Sequence, residues 1–383
     1  MKKIITVIGA RPQIIKSAAI SRVFKDVYGT KIQEIVVHTG QHYDQNMSAV
    51  FFDEMGIPKP SYNLAVGSAS HAVQSAEMMI KLEKILIEEQ AAGVLLYGDT
   101  NSTFAGAAVA SKLQIPIFHV EAGLRSFNKS MPEEVNRIVC DHLSTLLFSP
   151  TIQGYNNLLN EGFKEKNQPP FHPDNPKIFH CGDIMYDNSL YFSELADDKN
   201  TVIDTYGLAD SSFSLCTIHR DHNTDNYQNL NSIFEALIEI SAANKSHKIV
   251  LPLHPRTQKC MEQGLPKETL SLLETNDNIL IIEPQSYFNI LALEKNCDLV
   301  ITDSGGLQKE AFFFKKPSLI LRNQTEWVEI VESGNALIVG ANKMAIVNGF
   351  NTFKQRNTSD YPPFYGDGNA AFFMCGEIAK VVL

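Results

Sequence analysis

Short apolar segments alternate with longer segments of helical periodicity along the chain, and this alternation restarts in the second half. In the first half, the predicted strands are residues 3–8, 34–37, 94–97, 115–120 and 177–180. In the second half, they are residues 214–217, 248–252, 279–282, 299–302 and 318–321. Their apolar side chains do not alternate with polar ones, which is typical of parallel strands covered by helices. Two such series predict an α/β protein with two doubly wound domains.

Segments with helical periodicity lie between these strands. They are residues 15–26, 72–90 and 103–113 in the first series and residues 229–242, 287–295 and 307–314 in the second. The boundary between the domains is expected near residues 183–193. Residues 360–368, which are rich in turn-forming side chains, are a second candidate linker. The tail at 370–382 is predicted to be a helix.

Composition narrows the classes of function. A chain of 383 residues is expected to hold two or three domains at roughly 150 residues each. The net charge of −10 argues against a protein that coats nucleic acid. No apolar run approaches the roughly 20 residues of a membrane helix. The six scattered cysteines lack a Cys-x-x-Cys pair, which favours reduced thiols in the cytoplasm over disulfides or a zinc site.

The first predicted strand ends in the glycine turn Gly9-Ala10-Arg11-Pro12. A turn between a strand and a helix can leave backbone N–H groups free for an anion, and Arg11 and Lys16 would strengthen such a site. The same pattern fits an ordinary turn with solvated cations. It is not Gly-x-Gly-x-x-Gly, so the dinucleotide-binding fingerprint is absent.

A stronger anion signal is the run Ser304-Gly305-Gly306, which follows an apolar strand and precedes a helix. Two glycines would let the backbone close on a phosphate, and a side chain there would intrude or strain a positive φ. Glu310, one turn further, is expected to accept the hydroxyls of a ribose. A tight turn with packing glycines is the alternative.

Carboxylates follow two strands of the first series and open a later helix. Asp99 follows one strand, Glu121 follows the next, and Glu133 lies at the start of the helix that carries Arg137. Carboxyl ends of parallel strands face the ligand crevice, and paired carboxylates can divide acid and base work. For Glu133, helix capping by charge is the alternative.

Histidines follow two strands of the second series. His219 and His254 are candidates for a proton carrier or a phosphate donor. The pairs His219 with His222 and His38 with His42 lack a carboxylate or thiol that would complete a metal site. No metal and no nicotinamide cofactor are therefore expected.

Taken together, these motifs resemble the non-hydrolysing UDP-N-acetylglucosamine 2-epimerases. The resemblance covers nearly the whole chain. The matching segments are residues 9–16, 39–42, 98–100, 119–125, 132–137, 219–220, 254–255, 303–310 and 365–368. It implies a GT-B-like fold with two Rossmann-like domains and an interdomain cleft. The implied domains are residues 1–186 with 369–383, the latter a returning helix, and residues 187–368, which bind UDP.

The resemblance also implies a reaction and its residues. UDP leaves C1 of the sugar as a proton leaves C2, and UDP then adds back while the proton returns on the opposite face. The matching catalytic positions are Asp99, Glu121, Glu133 and His219. The matching substrate-binding positions are Arg11, Lys16, Arg137, His254, Ser304, Gly305, Gly306 and Glu310. The implied partners are a UDP-sugar substrate and a second copy in a homodimer, with no nucleic acid and no membrane.

Several residues depart from the family pattern and leave the sugar open. Gln13 stands where a glutamate is usual, and Thr325-Glu326-Trp327 replaces Thr-Glu-Arg. Both features resemble the branch that acts on UDP-2,3-diacetamido-2,3-dideoxyglucuronate. A UDP-sugar glycosyltransferase of the same architecture, a sensor of UDP-sugars and a hydrolysing epimerase are the alternatives.

Overall fold

The computed structural model describes residues 1–40, 57–197, 201–356 and 360–383. Gln41 and His42, from the matching segment 39–42, lie outside these residues. So do Met47 and Met55, whose side chains are expected in the core rather than at a cofactor. The chain divides into two compact units, Met1–Asn188 with Pro363–Leu383 and Ser189–Pro362. In the described part of the chain, no helix is long and apolar enough to cross a membrane.

The first unit contains a parallel seven-stranded sheet in the order β3-β2-β1-β4-β5-β6-β7. Its strands are β1 (Lys2–Ile8), β2 (Ile32–His38), β3 (Tyr62–Asn63), β4 (Gly93–Tyr97), β5 (Ile117–Val120), β6 (Leu146–Ser149) and β7 (Lys177–His180). Its helices are α1 (Arg11–Tyr28), α2 (His71–Glu88), α3 (Asn101–Lys112), α4 (Pro132–Leu143), α5 (Ile152–Asn160), the start of α6 (Ile184–Asp197), and α16 (Ala370–Val382). Side chains of β1, β4, α2 and α3 form the core on one face.

The second unit contains a six-stranded sheet in the order β10-β9-β8-β11-β12-β13, also parallel. Its strands are β8 (Ser212–Thr217), β9 (His247–Pro252), β10 (Ile279–Ile282), β11 (Leu299–Thr302), β12 (Ser318–Ile320) and β13 (Ala336–Ile338). Its helices are α7 (Thr201–Thr205), α8 (Asp221–Thr224), α9 (Tyr227–Ala243), α10 (Pro255–Gly264), α11 (Lys267–Glu274), α12 (Tyr287–Asn296), α13 (Gly305–Phe313), α14 (Val328–Glu332) and α15 (Lys343–Gln355).

Each sheet reverses its strand order once, which creates a crevice at the carboxyl ends of the two strands beside the reversal. In the first unit these strands are β1 and β4, and in the second they are β8 and β11. The residues that follow them are Gly9–Ala10, Gly98–Asp99, Ile218–His219 and Asp303–Ser304. Six of the twelve predicted site residues therefore lie on or next to these turns, namely Arg11, Asp99, His219, Ser304, Gly305 and Gly306.

The C-terminal helix α16 belongs to the first unit and packs on α1. Asp187 caps its first turn by accepting hydrogen bonds from the Ala370 and Ala371 N–H groups at 3.2 and 2.7 Å. The division between the units at Asn188 falls inside α6. This division lies within residues 183–193, where the boundary was expected, and these residues are helical from Ile184 onward.

Candidate active site

The turn after β1 is stabilised by one buried amide, the side chain of Gln13. Its Oε1 accepts hydrogen bonds from the N–H groups of Gly9 and Ala10 at 2.8 and 3.1 Å. Its Nε2 donates to the Tyr97 carbonyl at 2.8 Å and to hydroxyls of α3 and its N-cap. The expectation that this turn offers free N–H groups to an anion is therefore wrong for Gly9 and Ala10, since Gln13 already binds both.

Gly9 itself is required by close packing. A Cβ at this position would lie 2.2 Å from the hydroxyl oxygens of Thr39 and Ser102. Among the predicted anion-binding residues of this turn, Arg11 is exposed at the start of α1. Any anion bound here would thus contact side chains rather than the Gly9 and Ala10 amides.

Lys16 and Glu121 form an ion pair, with 2.5 Å between Lys16 Nζ and Glu121 Oε2, and both side chains are largely buried. Glu121 follows β5 and has φ +67°, in the left-handed region that non-glycine residues rarely adopt. Such backbone outliers cluster at functional sites, where surrounding structure holds them. This carboxylate is therefore fixed at the carboxyl edge of the first sheet.

Asp99, at the adjacent strand end, pairs with the guanidinium of Arg137 at 2.6 Å. The α4 side chain Asn136 donates to the Asp99 carbonyl oxygen at 3.0 Å, which ties this turn to α4. Glu133 is exposed in the first turn of the same helix. The helix thus supplies a cation for one carboxylate and carries a second carboxylate of its own.

Glu134, next to Glu133, has a structural role. It is buried and accepts hydrogen bonds from the Ser126 N–H, the Ser126 hydroxyl and the Phe127 N–H. These contacts hold the loop before α4. Glu134 therefore anchors this loop, whereas helix capping by charge stays the alternative for Glu133.

Below Asp99, the buried side chain of His119 supports the turn. Its Nδ1 donates to Asp141 Oδ1 at 2.7 Å, and its Nε2 donates to the Gly98 carbonyl at 2.8 Å. Burial alone would lower the pKa of His119, but Cys140 and the Asp141 carboxylate raise it to about 10. The other Asp141 oxygen pairs with Arg125 at 2.7 Å. The imidazolium therefore holds the backbone that carries Asp99.

In the second unit, Asp303 organises the segment after β8. Its carboxylate accepts hydrogen bonds from the backbone N–H groups of His219 and Arg220 and lies 3.1 Å from His219 Nδ1. Burial alone would raise the pKa of Asp303, but the hydrogen bond from His219 and that from the Arg220 N–H hold it below its usual value. With the proton on Nδ1, the Nε2 of neutral His219 is left as a base.

Ser304 is the N-cap of α13, and its hydroxyl accepts a hydrogen bond from the Leu307 N–H at 3.5 Å. Gly305 and Gly306 are the first residues of the helix. The expected positive φ is wrong, because both residues are helical and right-handed. A Cβ at Gly305 would come no closer than 3.7 Å to any atom. The missing side chains therefore leave open space at this helix N-terminus, which suits an anion.

Two further predicted residues lie on helices of the second unit, Glu310 within α13 and His254 at the N-cap of α10. Glu310 is buried and accepts a hydrogen bond from the Tyr287 hydroxyl at 3.0 Å. Burial and the charge of Glu310 raise the pKa of nearby Glu294 well above its ordinary value. His254 is exposed and caps α10, where its Nδ1 accepts the Arg256 N–H at 3.2 Å. The remaining ring nitrogen of neutral His254 is thus the one that carries a proton.

Sequence reasoning missed several supporting residues, namely Asp141, Arg125, Tyr287 and Arg322. Asp141 lies outside the matching segments, and Arg125 is the last residue of the segment 119–125, where its charged side chain was the only signal. Of the predicted residues, Asp99, Glu121 and His219 follow β4, β5 and β8 at the carboxyl edge of their own sheet, whereas Glu133, Arg137 and Glu310 lie on helices. Within each unit the arrangement can transfer protons and bind anions. In the described residues, no group of three or more histidines, cysteines or acids could hold a metal ion.

Comparison with known proteins identifies close relatives. A family model described as UDP-N-acetylglucosamine 2-epimerase matches residues 27–378. A Methanococcus maripaludis protein named UDP-N-acetylglucosamine 2-epimerase homolog is 44% identical over 370 residues, covering 96% of this chain and 97% of the relative. A Pseudomonas aeruginosa protein named UDP-2,3-diacetamido-2,3-dideoxy-D-glucuronate 2-epimerase is 44% identical over 381 residues, covering 99% and 100%.

Solved structures agree with these matches. The crystal structure of Methanocaldococcus jannaschii UDP-GlcNAc 2-epimerase in complex with UDP-GlcNAc and UDP has a TM-score of 0.77 and 38% identity, covering 99% of this chain and 100% of that chain. The Neisseria meningitidis UDP-GlcNAc 2-epimerase bound to UDP-GlcNAc has a TM-score of 0.81 and 28% identity, with the same coverage. The predicted GT-B-like α/β class with two Rossmann-like sheets is confirmed.

Proposed function

This chain belongs to the UDP-N-acetylglucosamine 2-epimerase family, and we propose that it inverts C2 of a UDP-2-acetamido sugar without net hydrolysis. The observation that carries the proposal is the strained Glu121, paired with Lys16 beside the Asp99–Arg137 pair. These groups offer two differently placed carboxylates at neighbouring strand ends. Inversion needs such a set, because a proton must leave one face of C2 and return to the other.

The proposed chemistry is an elimination followed by an addition. A base removes the C2 proton, the electrons of that C–H bond form the C1=C2 bond, and the C1–O bond breaks so that its electrons remain on UDP. The intermediate is a 2-acetamidoglucal. UDP then adds back to C1 while an acid delivers a proton to the opposite face of C2. Atoms and charge balance without a redox cofactor or metal.

We assign Asp99, Glu121, Glu133 and His219 to proton transfer. Arg11, Lys16, Arg137 and His254 are assigned to the substrate, with Ser304, Gly305, Gly306 and Glu310 around UDP. The support is that Nε2 of His219 is a free base when Asp303 holds Nδ1, and that α13 begins with open space. We further propose that residues 1–186 with 369–383 act on the sugar and that residues 187–368 bind UDP.

The sugar has two candidates, UDP-N-acetylglucosamine and UDP-2,3-diacetamido-2,3-dideoxyglucuronate. The second is favoured by Gln13 and Trp327 and by the relative from Pseudomonas aeruginosa. Parallel incubation with each sugar, without an acceptor and followed by proton NMR, separates them. A C2 epimer from either supports the proposal. Free UDP with a free sugar, or no reaction with either sugar, overturns it.

We also propose a homodimer. Val73, Ile80 and Ile87 lie at seven-residue spacing on α2 and are 50%, 61% and 59% exposed. A second copy that covers this stripe would bury it from water. Sedimentation of the unmodified chain should give a dimer, and Ile80→Glu should give a monomer. A monomer in both cases would contradict the proposal.

We place the enzyme in the cytoplasm. All six cysteines are free thiols, and most of them are buried. That usage is typical of a reducing compartment. Fractionation of the native cells, followed by detection of the chain, tests the placement.

A further inference from the structure

Arg322 and Glu326 lie beside the first residue of α13. Arg322 Nη1 donates to Glu326 Oε2 at 2.9 Å, and Nη2 donates to Oε1 at 2.8 Å, so the pair is bidentate. A Cβ on Gly305 would lie 3.7 Å from Arg322 Nη1, 3.7 Å from Glu326 Oε2 and 3.9 Å from Trp327 Nε1. A guanidinium fork therefore borders the open space at this helix N-terminus.

The segment that carries this pair is attached to α13 at several points. Trp327 Nε1 donates to the Gly305 carbonyl at 2.9 Å, and the Thr325 hydroxyl donates to Gln308 Oε1 at 2.5 Å. The ammonium of Lys309 lies 4.2 Å from the centre of the Trp327 ring. The Gln308 amide nitrogen is buried and has no hydrogen-bond partner among the described residues. The position of Arg322 relative to Gly305 is thus fixed by the fold.

The two partners differ in exposure. The Arg322 side chain is 16% exposed, whereas that of Glu326 is 59% exposed. A largely buried guanidinium needs an anionic partner, but an exposed carboxylate exchanges its partner for water at little cost. Burial alone would raise the pKa of Glu326, yet the hydrogen bond from Arg322 and the charge of Arg220 hold it below the usual value. Glu326 is therefore an ionised and replaceable partner.

We propose that Arg322 is an anion-binding residue of the ligand site and that Glu326 occupies its fork until two ligand oxygens take the same place. The inference rests on the proposed function, because it assumes that Ser304–Gly306 approach the diphosphate. Planar guanidinium binds either a phosphate or a carboxylate in bidentate fashion. The anion is thus either the diphosphate of UDP or a carboxylate on the sugar.

The test measures binding by calorimetry with UDP, UDP-glucuronic acid and uridine. Arg322→Met should weaken binding about 10- to 100-fold, since a charge-assisted pair is lost. Loss with both charged ligands assigns Arg322 to the diphosphate, and loss with UDP-glucuronic acid alone assigns it to the sugar carboxylate. Arg322→Lys should lie between, because charge remains without the fork. Uridine should bind equally to every variant.

Glu326→Gln should change the ligand affinity in the opposite direction to Arg322→Met. Removing the competing carboxylate should tighten binding of the affected ligand about two- to fivefold. Glu268→Gln, an exposed carboxylate on α11, is the matched control and should change nothing. A pair that only fastens the loop would instead weaken binding in both the Arg322 and Glu326 variants. That result, or unchanged binding in Arg322→Met, overturns the proposal.

Because the readout is affinity, it is independent of turnover. Thermal unfolding of each variant shows whether it folds. If Arg322→Met does not fold, the affinity of Glu326→Gln still tests the proposal. If UDP binding depends on Arg322 but the chain does not epimerise either sugar, only the proposed reaction is refuted. If the chain epimerises a sugar but binding does not depend on Arg322, only this inference is refuted.

Discussion

The ammonium of Lys16, in the first turns of α1, lies 2.5 Å from the carboxylate of Glu121, which follows β5 with a left-handed backbone. The pair connects a helix to a strand end on the opposite side of the strand-order reversal. A left-handed backbone at a non-glycine residue costs of order 1–3 kcal/mol. The fold thus maintains a strained carboxylate at the crevice, as expected for a group with a chemical role.

Glu121→Gln should lower kcat by about 10²–10⁴-fold while UDP still binds. The amide keeps the shape of the side chain but cannot take up a proton, and general acid–base groups typically contribute that much. Steady-state kinetics and UDP calorimetry measure the two effects. Glu83→Gln, an exposed position on α2, is the control and should match the unmodified chain. Near-normal turnover in Glu121→Gln would remove this residue from the acid–base set.

Substitution of Glu133 should affect activity, whereas substitution of its neighbour Glu134 should affect stability. Glu133→Gln should lower kcat by about 10²–10⁴-fold with the free energy of unfolding unchanged, because the side chain is exposed. Glu134→Gln should lower that free energy by about 1–3 kcal/mol, because one of the two oxygens that accept from the Ser126 and Phe127 N–H groups becomes an amide donor. Urea unfolding and kinetics on both variants check this. A stability loss in Glu133→Gln would favour its capping role.

Gly305→Ala should fold normally and bind UDP about tenfold more weakly. Its Cβ meets only atoms at 3.7 Å or beyond, so the cost arises when the ligand approaches. A tenfold loss corresponds to about 1.4 kcal/mol, similar to one lost hydrogen bond to a charged group. Gly376→Ala in α16 also has an open Cβ position and should leave affinity unchanged. Equal UDP affinity in both variants would place the ligand away from this helix.

The His119–Asp141 pair should make stability depend on pH. The folded pKa of His119 is raised to about 10, so its contribution is complete below the unfolded value of about 6.5 and is lost as pH rises through 10. His119→Gln should therefore be less stable than the unmodified chain by about 3 kcal/mol at pH 6, and by less at pH 9.5. Urea unfolding at both values measures this. An equal difference at both would mean that His119 is neutral in the fold.

The strand and helix pattern could be predicted because buried parallel strands are uniformly apolar. Strand β7 and helix α16 lie where their segments predict, whereas β3, β13 and β6, with two, three and four residues, were missed. So short a segment has too few residues for its burial to show as a pattern. Side-chain contacts such as that of Gln13 depend on the three-dimensional approach of β1 and β4, which local sequence does not encode.

For the candidate site, the sequence indicated which turns carry chemistry but not how their groups are used. Gly9 looked like an anion turn and proved to be a packing glycine, because Gln13 binds the neighbouring amides. Gly305 looked like a strained turn and proved to be helical. Both segments share the order of a strand, a glycine and a helix, and the sequence does not show which groups approach that glycine.

The most direct test of the account is the reaction run in heavy water. Removal of the C2 proton and its return from solvent predict that the C2 epimer carries deuterium at C2, as read by proton NMR and mass spectrometry of the purified UDP-sugar. Glu121→Gln should form that product far more slowly. Epimer formed in heavy water with hydrogen retained at C2 would contradict elimination and addition, and the roles assigned to Asp99, Glu121, Glu133 and His219 would be withdrawn.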